Sequence, residues 1–175
     1  MDKKSQLDKL HKKWLLECSC TLKVTAIQGV PGDGSANTSV VFIGEAPGAK
    51  EDKEGRPFVG SAGKFLAEML ESIGMKREDI YITNIVKYRP PNNRDPLPDE
   101  IAACAPWLEE EIKFIEPELI VFLGRHSMNH FFPKEKISLT HGKLIIAPMW
   151  GKQQKFLPLY HPAAALYNGS LRKIL

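Results

Sequence analysis

The chain has 175 residues, of which 43% are hydrophobic, 26% charged and 9% aromatic, and its net charge is +3. That is the make-up of one ordinary domain with a real core, which sets aside collagen-like, low-complexity and disordered chains. No stretch approaches the roughly 20 apolar residues of a membrane span. The run Trp14-Leu15-Leu16 is also too short for the core of a secretion signal, so the expected setting is the cytoplasm.

A mild basic excess permits nucleic-acid binding without arguing for it. The three cysteines, Cys18, Cys20 and Cys104, are an odd, low count. They point to a reducing compartment and to free thiols or ligands, not to a disulfide framework.

Residues 2–16 alternate charge and apolarity at helical spacing, with Leu7, Leu10, Trp14 and Leu15 on one side. Residues 27–38 form a Gly/Pro/Asn-rich loop. Ser39–Gly44 reads as a buried strand that empties into the loop EAPGAKEDKEGRPFVG. A helix is expected over 61–74, with Phe65, Leu66, Met69, Leu70 and Ile73 on one face and Gly74 as its stop. Ile80–Val86 is the next strand and runs into KYRPPNNRDPLP, which its prolines keep out of helix or central strand. A second amphipathic helix covers 98–115, a third strand 118–124 and a short helix 125–132. Two further short strands, 144–148 and 156–159, precede HPAAAL.

Strands separated by helices indicate an α/β fold with a mainly parallel central sheet. No internal repeat or second domain is visible. The expected organisation is one domain, 1–175, with an N-terminal helix and loop at 1–38 and a core at 39–168. In such sheets ligands bind beyond the C-terminal strand ends. GEAPGAKED, NIVKYRPP and HPAAAL all fall at strand ends, which says more together than any one of them alone. GVPGDGS is not a phosphate loop, because it lacks the Lys-Ser/Thr pair. Asn84 is a polar residue in an apolar strand, which is costly unless it is paired. On residue type alone, Phe58 reads as core and His161 as a turn residue before Pro162.

The segments GEAPGAKEDKEGRPFVGSAGKFL (44–66), YITNIVKYRPPNNRDPLPDEI (81–101), ACAPWL (103–108), ELIVFLGRHS (118–127) and LYHPAAAL (159–166) change that reading. Together they resemble the family 4 uracil-DNA glycosylases over residues 15–168. The resemblance implies a three-layer α/β/α sandwich around a four-stranded parallel sheet. It also implies a monofunctional enzyme of base excision repair, which hydrolyses the N-glycosidic bond of deoxyuridine in DNA, releases free uracil and leaves an abasic site. Such an enzyme flips its target base into a pocket.

By resemblance, Phe58 stacks on the base and Asn84 reads its O4/N3 edge. His161 hydrogen-bonds uracil O2, and Glu51 positions water and supports the cationic sugar. Glu45 and Ala46 line the pocket through backbone N–H groups. Pro47, Gly48, Ser61, Ala62 and Gly63 are candidates for DNA contact, as is the segment after His161. Leu166 or Tyr167 is a candidate wedge, and Lys87, Arg89, Arg94, Arg172 and Lys173 are candidate cations for the DNA backbone. The implied protein is a monomer that uses no divalent metal or nucleotide.

The family carries a 4Fe-4S cluster on four cysteines. Here Cys104 and Cys20 match, Cys18 stands one position from its expected place at Glu17, and Tyr88 occupies the fourth position. Tyrosine is a poor substitute for a soft ligand. The expectation is therefore a protein without the standard cluster, in which Tyr88 packs the same space, with Cys18, Cys20 and Cys104 as ligands if a cluster is held. The alternative functions are a uracil-DNA trap or a non-catalytic DNA-binding module. A related branch crosslinks DNA through a histidine, and KYRPPNNRDPLPDEI has none.

Overall fold

The computed structural model describes residues 2–174. Helix α1 (Lys3–Glu17) is capped by Asp2, whose carboxylate accepts from the Ser5 N–H. It buries Leu7, Leu10 and Trp14, whereas Leu15 turns out toward solvent instead of sharing that face. Strand β1 (Asp33–Gly34) lies within the glycine-rich loop. Next come β2 (Val40–Gly44), α2 (Ala49–Glu54), α3 (Ser61–Ser72), β3 (Tyr81–Asn84) and α4 (Pro98–Ile115). The chain closes with β4 (Leu119–Leu123), α5 (Arg125–Phe131), α6 (Ile137–Thr140), β5 (Ile145–Met149), β6 (Lys152–Leu159) and α7 (Pro162–Tyr167).

The sheet order is β1-β3-β2-β4-β6-β5. The inner strands β3, β2, β4 and β6 are parallel, and β1 and β5 add antiparallel edges. The expected four-stranded parallel sheet is thus present, widened by two edge strands. Strand period 2 sends alternate residues to opposite faces. Val41, Ile43, Tyr81, Ile120 and Phe122 pack in one core with residues of α1, α4 and α5. Phe42, Ile82, Val121 and Leu123 pack in another with Leu66 and Leu70 of α3. This is the three-layer sandwich.

One short helix was hidden in a segment that reads as loop. Within GAKEDKEG, Gly48 is the N-cap of α2, Glu51 and Asp52 sit in its first turn, and Gly55 closes it in the left-handed conformation. The buried Asp52 carboxylate accepts from the Ile27 and Gln28 N–H groups at 2.9 and 3.3 Å, which ties α2 to the N-terminal loop.

Candidate active site

A cavity of about 330 Å³ opens beyond the C-terminal ends of β2 and β3. It is lined by Glu45, Ala46, Pro47, Gly48, Glu51, Phe58, Ala62, Asn84 and His161, all expected at the site. Its volume lies within the range of small-ligand pockets, roughly 300–1,000 Å³.

Asn84 ends β3 and faces the cavity because strand alternation puts it on the side opposite Thr83. Its side chain is 3% exposed and its Oδ1 has no hydrogen-bond partner. An unpaired buried acceptor costs roughly 1–3 kcal/mol, so it is the kind of atom a ligand donor completes. Gly44 makes room for it: a Cβ there would lie 2.5 Å from Asn84 Oδ1 and 2.7 Å from the Phe58 ring.

Phe58 is buried at φ 51°, a left-handed conformation that costs a bulky residue roughly 1–3 kcal/mol. Arg77 holds the strained turn by donating to the carbonyls of Phe58, at 3.1 Å, and Pro57. Gly63 packs beneath it, where a Cβ would meet the Phe58 carbonyl oxygen at 1.8 Å. Gly63 is therefore a packing residue behind the wall, while Ser61 at the start of α3 is exposed. The Phe58 and His161 rings stand 5.7 Å apart, tilted by 31°.

His161 is the N-cap of α7, and its Nδ1 accepts from the Ala163 N–H at 3.1 Å. That bond leaves the ring proton on Nε2 as a donor. Burial pushes the His161 pKa down to about 4, against the opposing pull of Glu51. The ring is therefore neutral at pH 7.

Glu51 Oε1 accepts from the Val59 and Gly60 N–H groups at 2.9 and 2.7 Å. One carboxylate oxygen is thus pinned by backbone, and the residue's position on α2 sets where the other stands. Glu45 lines the cavity, and its carboxylate contacts His126, which is not among the lining residues. Its Oε2 lies 3.6 Å from His126 Nε2, which lies 3.3 Å from Asp95 Oδ2. Burial raises the Glu45 pKa, with His126 opposing.

Sequence reasoning missed Pro90, Asn93 and Ala163 as wall residues. The signal lay in the NN pair of RPPNNRDP: Asn92 and Asn93 both adopt positive φ, which asparagine tolerates. Arg94 also lines the cavity, and its guanidinium forks onto Glu100 at 2.6 and 2.8 Å.

One expected DNA contact needs correction. Lys87 is fully buried and its Nζ donates to Glu111 and Thr83, each at 2.6 Å, so it is a core ion-pair residue. Arg172 is exposed and does not line the cavity; its guanidinium lies 3.0 Å from Glu68 and over the Phe65 ring. Leu166 and Tyr167 are exposed on α7, and Arg89 bonds the Asn93 side chain. The side chain of Lys173 lies outside the described residues.

The model of the uracil DNA glycosylase superfamily matches residues 31–174. The chain belongs to that superfamily. It is 48% identical, over 97% of its length and 80% of the relative's, to the type-4 uracil-DNA glycosylase of Sulfurisphaera tokodaii. It is 49% identical to that of Saccharolobus solfataricus, over 89% of the chain and 75% of the relative. With the Archaeoglobus fulgidus type-4 enzyme it shares 47% identity over 91% of the chain and 83% of the relative. Among the described residues no helix is long and apolar enough to cross a membrane.

Proposed function

We propose that this chain is a monofunctional uracil-DNA glycosylase of the type-4 class. The observation that carries the reading is the unpaired Oδ1 of Asn84 in a cavity that also holds the Phe58 ring and a neutral His161 with Nε2–H free to donate.

The roles follow from chemistry. A flipped uracil stacks on Phe58. Asn84 Oδ1 accepts from the base N3–H and its amide N–H₂ donates to O4. Cytosine offers an amino group at position 4 and no N3–H, so the same amide rejects it. As the bond from sugar C1′ to uracil N1 breaks, negative charge moves onto the base and reaches O2. A neutral imidazole donating from Nε2 stabilises that charge without needing a proton from solvent. The Glu51 carboxylate supports the positive charge left on the sugar and holds the water that attacks C1′. The products are free uracil and an abasic site. No step in this scheme involves a metal or nucleotide. If the chain carries a 4Fe-4S cluster, Cys18, Cys20 and Cys104 would hold it; when bound it cross-links the end of α1 to α4 and supplies no step of the reaction.

DNA contact is assigned to the cavity rim: Pro47 and Gly48, the exposed start of α3 at Ser61 and Ala62, and Leu166 on α7. Backbone N–H groups at a helix start suit phosphate. One flipped base needs one pocket, so a monomer suffices.

The test is a uracil-containing oligonucleotide incubated with the protein in EDTA, followed by alkali and by assay of free base. Strand cleavage at uracil with matching base release is expected. Saturable binding without release of uracil would overturn the enzymatic reading and leave a DNA-binding module.

A further inference from the structure

Three buried thiols and one buried phenol meet on the α1/α4 side of the sheet. Cys18, Cys20, Cys104 and Tyr88 are all 4% exposed or less. Cys18 Sγ lies 3.7 Å from the Ala103 carbonyl and Cys20 Sγ 3.7 Å from the Glu100 carbonyl, both on the stretch of α4 that carries Cys104. Cys104 lies in the same buried cluster, and its sulfur accepts from the Lys87 N–H at 3.5 Å. Three sulfurs from two distant segments thus converge as free thiols.

The fourth member is the odd one. Tyr88 follows Lys87 directly, packs in the same buried cluster as the three cysteines, and its hydroxyl is buried with no hydrogen-bond partner. Trp14, whose indole N–H also lacks a partner, packs edge-on against the Tyr88 ring with centroids 5.7 Å apart. A phenylalanine would fill the same volume without an orphaned oxygen, at a saving of roughly 1–3 kcal/mol. Packing alone therefore does not account for this residue. An orphaned hydroxyl in one buried cluster with three thiols is completed by a group that the sulfurs also bind.

Thiolates select soft metals and iron–sulfur clusters, and a four-iron cluster takes one protein ligand per iron. A phenolate is an established iron ligand, as in catalase. We propose that Cys18, Cys20 and Cys104 hold three irons of a 4Fe-4S cluster and that the Tyr88 phenolate holds the fourth. On binding, the phenol O–H bond breaks, an Fe–O bond forms, and the proton leaves to solvent. This site is separate from the base pocket, and its test does not depend on glycosylase activity.

The full chain is purified without oxygen and reconstituted with equal amounts of ferric and ferrous iron and with sulfide, beside Tyr88→Phe and Tyr88→Cys. Iron and sulfide are counted, tyrosinate-to-iron vibrations are sought by resonance Raman, and each protein is challenged with EDTA. The wild type is expected to hold about four irons with tyrosinate bands. Tyr88→Phe loses those bands and yields about one iron in four to EDTA, whereas Tyr88→Cys lacks the bands and keeps its iron. Circular dichroism of both variants confirms that they fold. The assignment is overturned if the wild type takes up no iron and sulfide, if it binds zinc only, or if Tyr88→Phe matches the wild type in bands and iron retention.

Discussion

Thr83 and Asn84 are neighbours on β3, yet they serve opposite sides of the sheet. Asn84 faces the cavity with an acceptor that nothing satisfies. Thr83 faces α4, where its hydroxyl donates to Glu111 at 2.8 Å and accepts from Lys87. Glu111 and Lys87 are both fully buried. Burial alone would raise the Glu111 carboxyl, but Lys87 and then His11 outweigh it and hold the pKa down to about 2. One side of the strand therefore leaves a polar group open to the cavity, and the other ties Thr83 into a buried ion pair, where Glu111 Oε1 lacks a hydrogen-bond partner and faces His11 Nε2 at 3.3 Å. The lesson is that a two-residue period lets one short strand carry a ligand site and a structural anchor without either disturbing the other.

The largest effect that breaks this comparison is on the anchor side. Lys87→Met takes from the buried Glu111 carboxylate its only lysine partner and leaves it to His11 and Thr83, which costs up to about 3–5 kcal/mol. At about 2–4 °C per kcal/mol for a chain of this size, thermal unfolding moves down by roughly 6–20 °C. The double change Lys87→Met with Glu111→Leu recovers most of the loss, since a matched apolar pair replaces the ion pair. Base release measured well below the transition is retained in both. A loss of base release in a folded Lys87→Met protein would show that the two faces are not independent.

Asn84→Ala is the converse. It removes a reader of the developing charge on the base, and base release falls by about 10²–10³-fold. Thermal unfolding stays near that of the wild type, because the deleted acceptor had no partner to lose. A large drop in the unfolding midpoint would mean that Asn84 is a structural residue.

The contrast also explains what the sequence made legible. Strand and helix positions were visible because apolar spacing is a local property: the helix expected over 98–115 is α4 to the residue. The cavity residues came from the resemblance, since nothing local separates Phe58 or His161 from core and turn residues. Lys87 was misplaced because a lysine beside a loop is nearly always solvated. Only the tertiary approach of α4 brings Glu111 to it. Helix α2 was missed because its signals are caps at Gly48 and Gly55, and its six residues are too few to show a period. The strained turn at Phe58 has no sequence sign at all, for it is held by Arg77 from almost 20 residues away.

A smaller effect concerns His161. Its folded pKa, about 4, lies below the ordinary 6.5 because the ring is buried. Between those values the unfolded chain takes up a proton that the folded protein refuses. This group's stabilisation is complete above pH 6.5 and is lost as pH falls toward 4, at up to about 1.4 kcal/mol per pH unit. His161→Asn keeps an N-cap acceptor for the Ala163 N–H and removes the titration. Its unfolding midpoint is expected to fall less steeply than that of the wild type from pH 6.5 to 4. Parallel curves would place the ring in solvent.

The smallest effect belongs to Arg172, which does not line the cavity. Its guanidinium pairs with Glu68 at 3.0 Å and lies 4.8 Å from the Phe65 ring centre. Both charged side chains are more than half exposed, so the pair contributes only about 0–1 kcal/mol and weakens with salt. Arg172→Ala is expected to shift thermal unfolding by no more than a few degrees and to leave DNA affinity unchanged, because a paired cation away from the cavity has little to offer a phosphate. If affinity for uracil-containing DNA drops and its salt dependence becomes shallower by about one phosphate contact, Arg172 leaves Glu68 for the DNA backbone. The binding surface then extends from α7 past the end of α3, and the geometry at rest describes only the inner part of it.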